Sequence, residues 1–131
     1  MKNILIVDGE RRIRNVYKLL LTSYGYNTFE ARNAAEAKGL LAQEKIDLML
    51  LDSNLPDAKG FVLYDVMQLF YCDVKTIVCS AYPVAKQRLL IPDATAYYDK
   101  TKSIEDLFIK IQTALNDDCP AGKHTEPALA C

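Results

Sequence analysis

The chain has 131 residues, half of them hydrophobic and a quarter charged, with a formal net charge of −1 at pH 7; this fits one globular domain with a core of its own. No basic excess is present to hold a phosphate backbone, so nucleic acid is not an expected direct partner. Cys72, Cys79, Cys119 and Cys131 stand at no metal-ligand spacing and His124 is the single histidine, which argues against zinc and reads as reduced thiols of a cytoplasmic protein.

Residues 4–7 (Ile, Leu, Ile, Val) form an apolar run that Asp8 ends. A secretory segment needs roughly 7–15 apolar residues and a membrane span about 18, so the chain reads as soluble and intracellular, with no membrane partner. The run reads instead as a strand buried on both faces. Over 10–24 the spacing of Ile13, Val16, Tyr17, Leu20 and Leu21 predicts a helix, closed by Gly25. A second strand follows at 27–31. Asn33 with Glu36 three residues on signals a helix start, and that helix runs to about residue 43.

The third strand is read at 46–51, followed by a loop from Asp52 to Lys59 that contains Pro56. A helix at about 59–70 comes next, with Phe61, Val62, Val66, Leu69 and Phe70 expected to supply its apolar contacts. A fourth strand covers 76–79, a short helix 83–91 stops at Pro92, and a brief fifth strand spans 96–98. Ser103, with Asp106 after it, caps a final helix whose Leu107, Phe108, Ile111 and Leu115 face inward. Beyond Asn116 the chain turns polar and breaker-rich, so residues 1–116 are read as the domain and 117–131 as a disordered tail.

Strands alternating with helices imply an α/β fold: a parallel sheet with helices on both faces. In such sheets ligands bind beyond the carboxyl ends of the strands. Asp8 follows the first strand, Asp52 the third, Ser80 the fourth and Lys100 the fifth. In the flavodoxin-like strand order 2-1-3-4-5 these four side chains converge on one cleft. Two acids there suit Mg2+, a hard cation that prefers oxygen ligands and keeps several waters. A carboxylate beside such a cation can attack phosphorus, while hydroxyl and ammonium stabilise the charge that develops.

Four motifs stand in order at these strand ends: residues 4–8 (ILIVD), 50–56 (LLDSNLP), 79–81 (CSA) and 97–100 (YYDK). Together they resemble the receiver domains of bacterial response regulators, the phosphorylated switches of two-component signalling, over roughly residues 1–116. The resemblance implies a regulatory module rather than an enzyme. Asp52 would be the phosphoacceptor, served by a sensor histidine kinase or a histidine phosphotransfer protein. Asp8, Asp52 and the Asn54 backbone carbonyl would hold Mg2+. Ser80 and Lys100 would bind the phosphoryl oxygens, with Ala81 small beside them, and Tyr97 would be the aromatic that turns inward as Ser80 moves. Output would be a changed protein–protein contact through helix 4, strand 5 and helix 5, a face that also serves homodimers; the output partner stays unnamed.

The departures are specific. Receivers usually carry two acids in succession after strand one, and here Gly9 follows Asp8, which implies weakened metal binding. Thr101 replaces the proline that commonly follows the lysine; a cis bond before a non-proline residue costs about 2.5–4 kcal/mol. The segment from Ser80 to Lys100 is about two residues short, with Asp93 where a glycine is common, so a short or irregular fourth helix is expected. Plainer readings stand beside these: Asp52 as a turn former, Lys100 as a solvated lysine, Tyr97 as core, and Arg11, Arg12 and Arg14 as a solvated helix face. Gly9 also keeps open a phosphate-independent pseudo-receiver, a pure interaction module. A flavin carrier fits less well, because the acidic turn after strand one would repel its phosphate.

Overall fold

The computed structural model describes residues 1–116; the tail expected at 117–131 lies outside the described residues. Five strands, β1 (Asn3–Val7), β2 (Asn27–Ala31), β3 (Leu48–Asp52), β4 (Lys75–Ser80) and β5 (Ala96–Asp99), alternate with five helices, α1 (Arg11–Ser23), α2 (Ala34–Gln43), α3 (Gly60–Phe70), α4 (Val84–Leu90) and α5 (Ile104–Leu115). The sheet is parallel in the order β2-β1-β3-β4-β5, as the alternation implied. All carboxyl ends of the strands therefore open on one edge.

Successive strand side chains point to opposite faces, and the two cores follow from that rule. Leu5, Val7, Met49, Leu51 and Val78 pack under α2, α3 and α4. Ile4, Ile6, Leu48, Leu50, Ile77 and Cys79 pack under α1 and α5. These strand residues are at most 1% exposed, and each large aliphatic side chain so buried stabilises the fold by about 1.5–3 kcal/mol. Cys79 is free and buried.

Helix α3 presents a different face from the one expected. Leu63, Tyr64 and Met67 are buried, whereas Phe61, Val62, Leu69 and Phe70 are 44, 42, 76 and 72% exposed. The helix is apolar nearly all round, so its periodicity selects no face. Its phase is set by Gly60. A Cβ there would stand 2.7 Å from the Asp52 carbonyl oxygen and 2.9 Å from Ser53 Cα, so the first turn lies directly against the end of β3. Val16 of α1 likewise points outward, 50% exposed, while Tyr17 and Leu21 are buried.

Other local signals behave as read. Gly25 takes φ +87° after α1, and the Asn33 and Ser103 side chains accept the N–H groups of Glu36 and Asp106. Helix α4 is short, at seven residues, and Asp93, where glycine was missed, takes φ 69°. Strand β3 starts two residues later than expected and carries Asp52 as its last residue.

Candidate functional site

Four of the predicted residues meet at the carboxyl edge of the sheet. The Lys100 Nζ lies 2.8 Å from Asp8 Oδ2 and 3.4 Å from Asp52 Oδ1. The backbone carries it there: β4 pairs with β5 up to Ser80↔Asp99, and the Lys100 N–H donates to the Ser80 carbonyl at 2.8 Å. Asp52, Ser80 and Lys100, with Gly9, Asn54 and Ala81, line one open cavity of about 620 Å³.

Asp8 is held on both oxygens. Its Oδ1 accepts the Glu10 N–H at 2.8 Å and its Oδ2 accepts Lys100; its side chain is 2% exposed. Asp8 therefore shapes the turn into α1, whose N-cap is Glu10, rather than capping the helix itself. Asp52 accepts the Asn54 N–H on Oδ1 at 3.2 Å, and its Oδ2 accepts no hydrogen bond among the described residues. Burial raises the Asp52 carboxyl above its ordinary 3.8; Asp8 adds to the rise, while Lys100 and the Asn54 N–H pull against it. Burial alone would lower Lys100, but the Asp8 hydrogen bond and the charges of Asp52 and Asp8 outweigh it, so its pKa is raised above 10.5.

Ser80 is tied elsewhere. Its Oγ accepts the Ser53 hydroxyl at 2.9 Å and the Tyr82 N–H at 3.1 Å. Ala81 is exposed at the rim. Tyr97 already points inward and is 4% exposed. Its hydroxyl donates to the Ile91 carbonyl at 2.6 Å and accepts the Ala94 N–H at 3.1 Å, and Arg88 lies over its ring at 4.8 Å. Thr101 has taken over the turn after β5: its N–H and hydroxyl both donate to Asp99 Oδ1, at 2.8 and 2.6 Å. No cis peptide bond occurs among the described residues.

Position 9 has little room to spare. A Cβ on Gly9 would lie 3.2 and 3.3 Å from Cδ and Cγ of Pro56. With no acid there, no cluster of three or more acidic, His or Cys groups able to hold a cation forms among the described residues.

Several contributors were given another role, or none, from sequence. Arg14 is no part of a solvated basic face; it donates to the Asp8 carbonyl at 2.8 Å and pairs with Glu30 at 3.2 Å. Asp57, in the loop after β3, accepts the N–H groups of Ala34 and Ala35 at 2.8 and 3.1 Å and so ties that loop to the start of α2. Gln87 is 1% exposed and donates to the carbonyls of Tyr82 and Tyr98 at 2.8 and 2.9 Å. Ser53 was readable: Asp52 pairs with Cys79 in register, so the next residues, both serine, emerge side by side.

The response regulator receiver domain family matches residues 4–112. Sporulation initiation phosphotransferase F of Bacillus subtilis is 32% identical over 62% of this chain and 65% of its own length. The probable transcriptional regulator ycf29 of Cyanophora paradoxa is 32% identical over 88% of this chain and 57% of its own length, so the chain spans little more than half to two-thirds of these relatives. Among solved structures, the response regulator TrrA of Thermotoga maritima, in complex with Mg2+ and beryllofluoride, is similar at TM-score 0.80 and 30% identity, over 87% of this chain and 99% of that one. A CheY-like receiver domain from Methanospirillum hungatei gives the same score and identity over 93% and 99%. With the family model spanning most of the described residues and the fold shared with solved receiver domains, the chain belongs to the response regulator receiver domain family of two-component signalling.

Proposed function

We propose that this receiver accepts a phosphoryl group on Asp52 from a phosphohistidine of a sensor histidine kinase or histidine phosphotransfer protein, and that the modified site changes its protein–protein contacts. The observation that carries the reading is the Lys100 ammonium set between two carboxylates, 2.8 Å from Asp8 and 3.4 Å from Asp52, in one open cavity.

Asp52 Oδ2 is the oxygen without a donor among the described residues, and burial keeps the carboxylate basic, which suits a nucleophile. The carboxylate oxygen forms its bond to phosphorus as the bond from phosphorus to the imidazole nitrogen breaks, and that nitrogen keeps the electron pair. Lys100 can shift its partnership from Asp52 to the new phosphoryl oxygens, and the Ser80 hydroxyl can donate to them. An acyl phosphate adds charge and strong acceptors beside these two groups. The β4–α4 loop is the element they would bias, with output through α4, β5 and α5, where Leu89 and Leu90 are 84 and 44% exposed.

The donor set suits Mg2+ in kind: Asp52, the Asn54 carbonyl and Asp8 all offer oxygen. When bound, the cation supplies neutralisation of charge on the transferring oxygens. Gly9 gives no ligand and Lys100 already occupies Asp8 Oδ2, so we expect weak binding with water filling most of the shell. The same two observations favour a second reading, a pseudo-receiver that binds partners without phosphate.

Incubation with acetyl phosphate and Mg2+, followed by intact mass, separates the two. One added phosphoryl mass that disappears in Asp52→Asn supports the switch. Its absence at every Mg2+ concentration supports the pseudo-receiver.

A further inference from the structure

We propose that Ser53 is a positioning residue that restrains Ser80 in the resting site and must release it when a phosphoryl group arrives; this rests on the reading of Asp52 as phosphoacceptor.

The two hydroxyls lie 2.9 Å apart, Ser53 Oγ donating to Ser80 Oγ. The Tyr82 N–H donates to the same Ser80 oxygen at 3.1 Å. Both lone pairs of Ser80 Oγ are thus engaged, and a hydroxyl offers no more than two. A shift of the Ser80 side chain away from these two donors gives up both bonds.

Ser53 is a firm anchor for such a restraint. Its N–H donates to the Cys79 carbonyl at 3.3 Å, and its own carbonyl accepts the Gly60 N–H at 2.9 Å. Its Cα is pressed against the start of α3, where a Cβ on Gly60 would come within 2.9 Å. Ser80 is the last residue of β4, where the β4–α4 loop begins, and the proposed switch requires that loop to move. The hydroxyl pair therefore ties a fixed backbone to a loop that has to move.

The aromatic side chain offers no comparable restraint. Tyr97 is already inside and bonded at its hydroxyl to Ile91 and Ala94, so its position does not hold Ser80 back. The Ser53–Ser80 bond is the side-chain link that opposes a Ser80 shift, beside the Tyr82 N–H. Removing a hydrogen bond present in one state and absent in the other moves the equilibrium between them by roughly 2- to 10-fold.

The test uses the full chain, labelled with nitrogen-15, as wild type, Ser53→Ala, Ser53→Thr, Ser80→Ala and the Ser53→Ala/Ser80→Ala double variant. Beryllofluoride with Mg2+ is titrated in, and the amides of Tyr82 and Lys100 are followed by NMR. Ser53→Ala is expected to bind beryllofluoride roughly 2- to 10-fold more tightly than wild type, Ser53→Thr to return toward wild type, and the effect to vanish in the Ser80→Ala background. In the phosphate-free protein, Ser53→Ala is expected to speed hydrogen exchange at the Tyr82 amide, because the oxygen it bonds to is no longer held. Equal or weaker beryllofluoride binding by Ser53→Ala, or unchanged Tyr82 exchange, overturns the proposal. If wild type itself takes up no beryllofluoride, the phosphoacceptor reading fails, and Tyr82 exchange alone then decides whether Ser53 restrains Ser80.

Discussion

Removing the Lys100 ammonium is the sharpest test of how the site is held together. Lys100→Met keeps the length of the stem and deletes the charge. Asp8, whose side chain is 2% exposed, then keeps the Glu10 N–H on Oδ1 but loses the partner that Oδ2 has among the described residues. Asp52 remains close as a like charge. Deleting one member of a buried pair costs about 3–5 kcal/mol. Lys100 is 20% exposed and the cavity is open to water, so we expect about 2–4 kcal/mol at pH 7. Asp8→Asn should cost less, because Lys100 retains Asp52 at 3.4 Å. The double variant removes one charge of each sign, so its loss should fall short of the sum by about 1–3 kcal/mol. Urea unfolding reads this directly: with a slope of about 2 kcal/mol/M, Lys100→Met should lower the midpoint by about 1–2 M. A midpoint within about 0.3 M of wild type, or strictly additive losses, would show that the ammonium does not organise the two acids.

Three further perturbations probe other parts of the account. Gly60→Ala should destabilise by about 1–3 kcal/mol in calorimetry, because the new methyl meets the backbone of Asp52 and Ser53, whereas Gly39→Ala, with open space at that Cβ, should stabilise by about 0.5–1 kcal/mol; equal effects would refute the close approach. The Ala34 and Ala35 N–H groups hold Asp57 below its ordinary 3.8, so its contribution is complete above that value and is lost as pH falls through the depressed one; the stability gap between wild type and Asp57→Ala should be present at pH 7 and close in strong acid, and no gap at neutral pH would rule the cap out. Gly9→Asp should tighten Mg2+ binding about tenfold by calorimetric titration, once Pro56 yields a few tenths of an ångström to a Cβ at 3.2 Å; unchanged affinity would mean that the missing acid is not what limits the cation.

The strand-end residues were legible because a parallel sheet has a simple rule. Once Asp8, Asp52, Ser80 and Lys100 were placed after strands one, three, four and five, the strand order brought them to one edge, and the Lys100 pairings agree with that expectation. Helix faces were less legible. Periodicity fails for α3, where Phe61 and Leu69 are as apolar as the buried Leu63 and Met67, and the phase comes from the Gly60 backbone contact instead. Arg14, Asp57 and Gln87 were hidden for a related reason. Each is a polar residue whose role depends on a backbone group outside its own element, at Asp8, Ala34 or Tyr98. Tyr97 could be named from sequence as an aromatic of the switch region, but its inward position depends on the Ile91 and Ala94 backbone that the short α4 brings near.

The most direct check of the central claim is transfer from a phosphorylated histidine phosphotransfer domain to this chain, with the modified residue located by fragment mass spectrometry. The account predicts a single acyl phosphate on Asp52 and no transfer to Asp52→Asn. A phosphoryl group on another residue, or none while a control receiver is modified by the same donor, would contradict it.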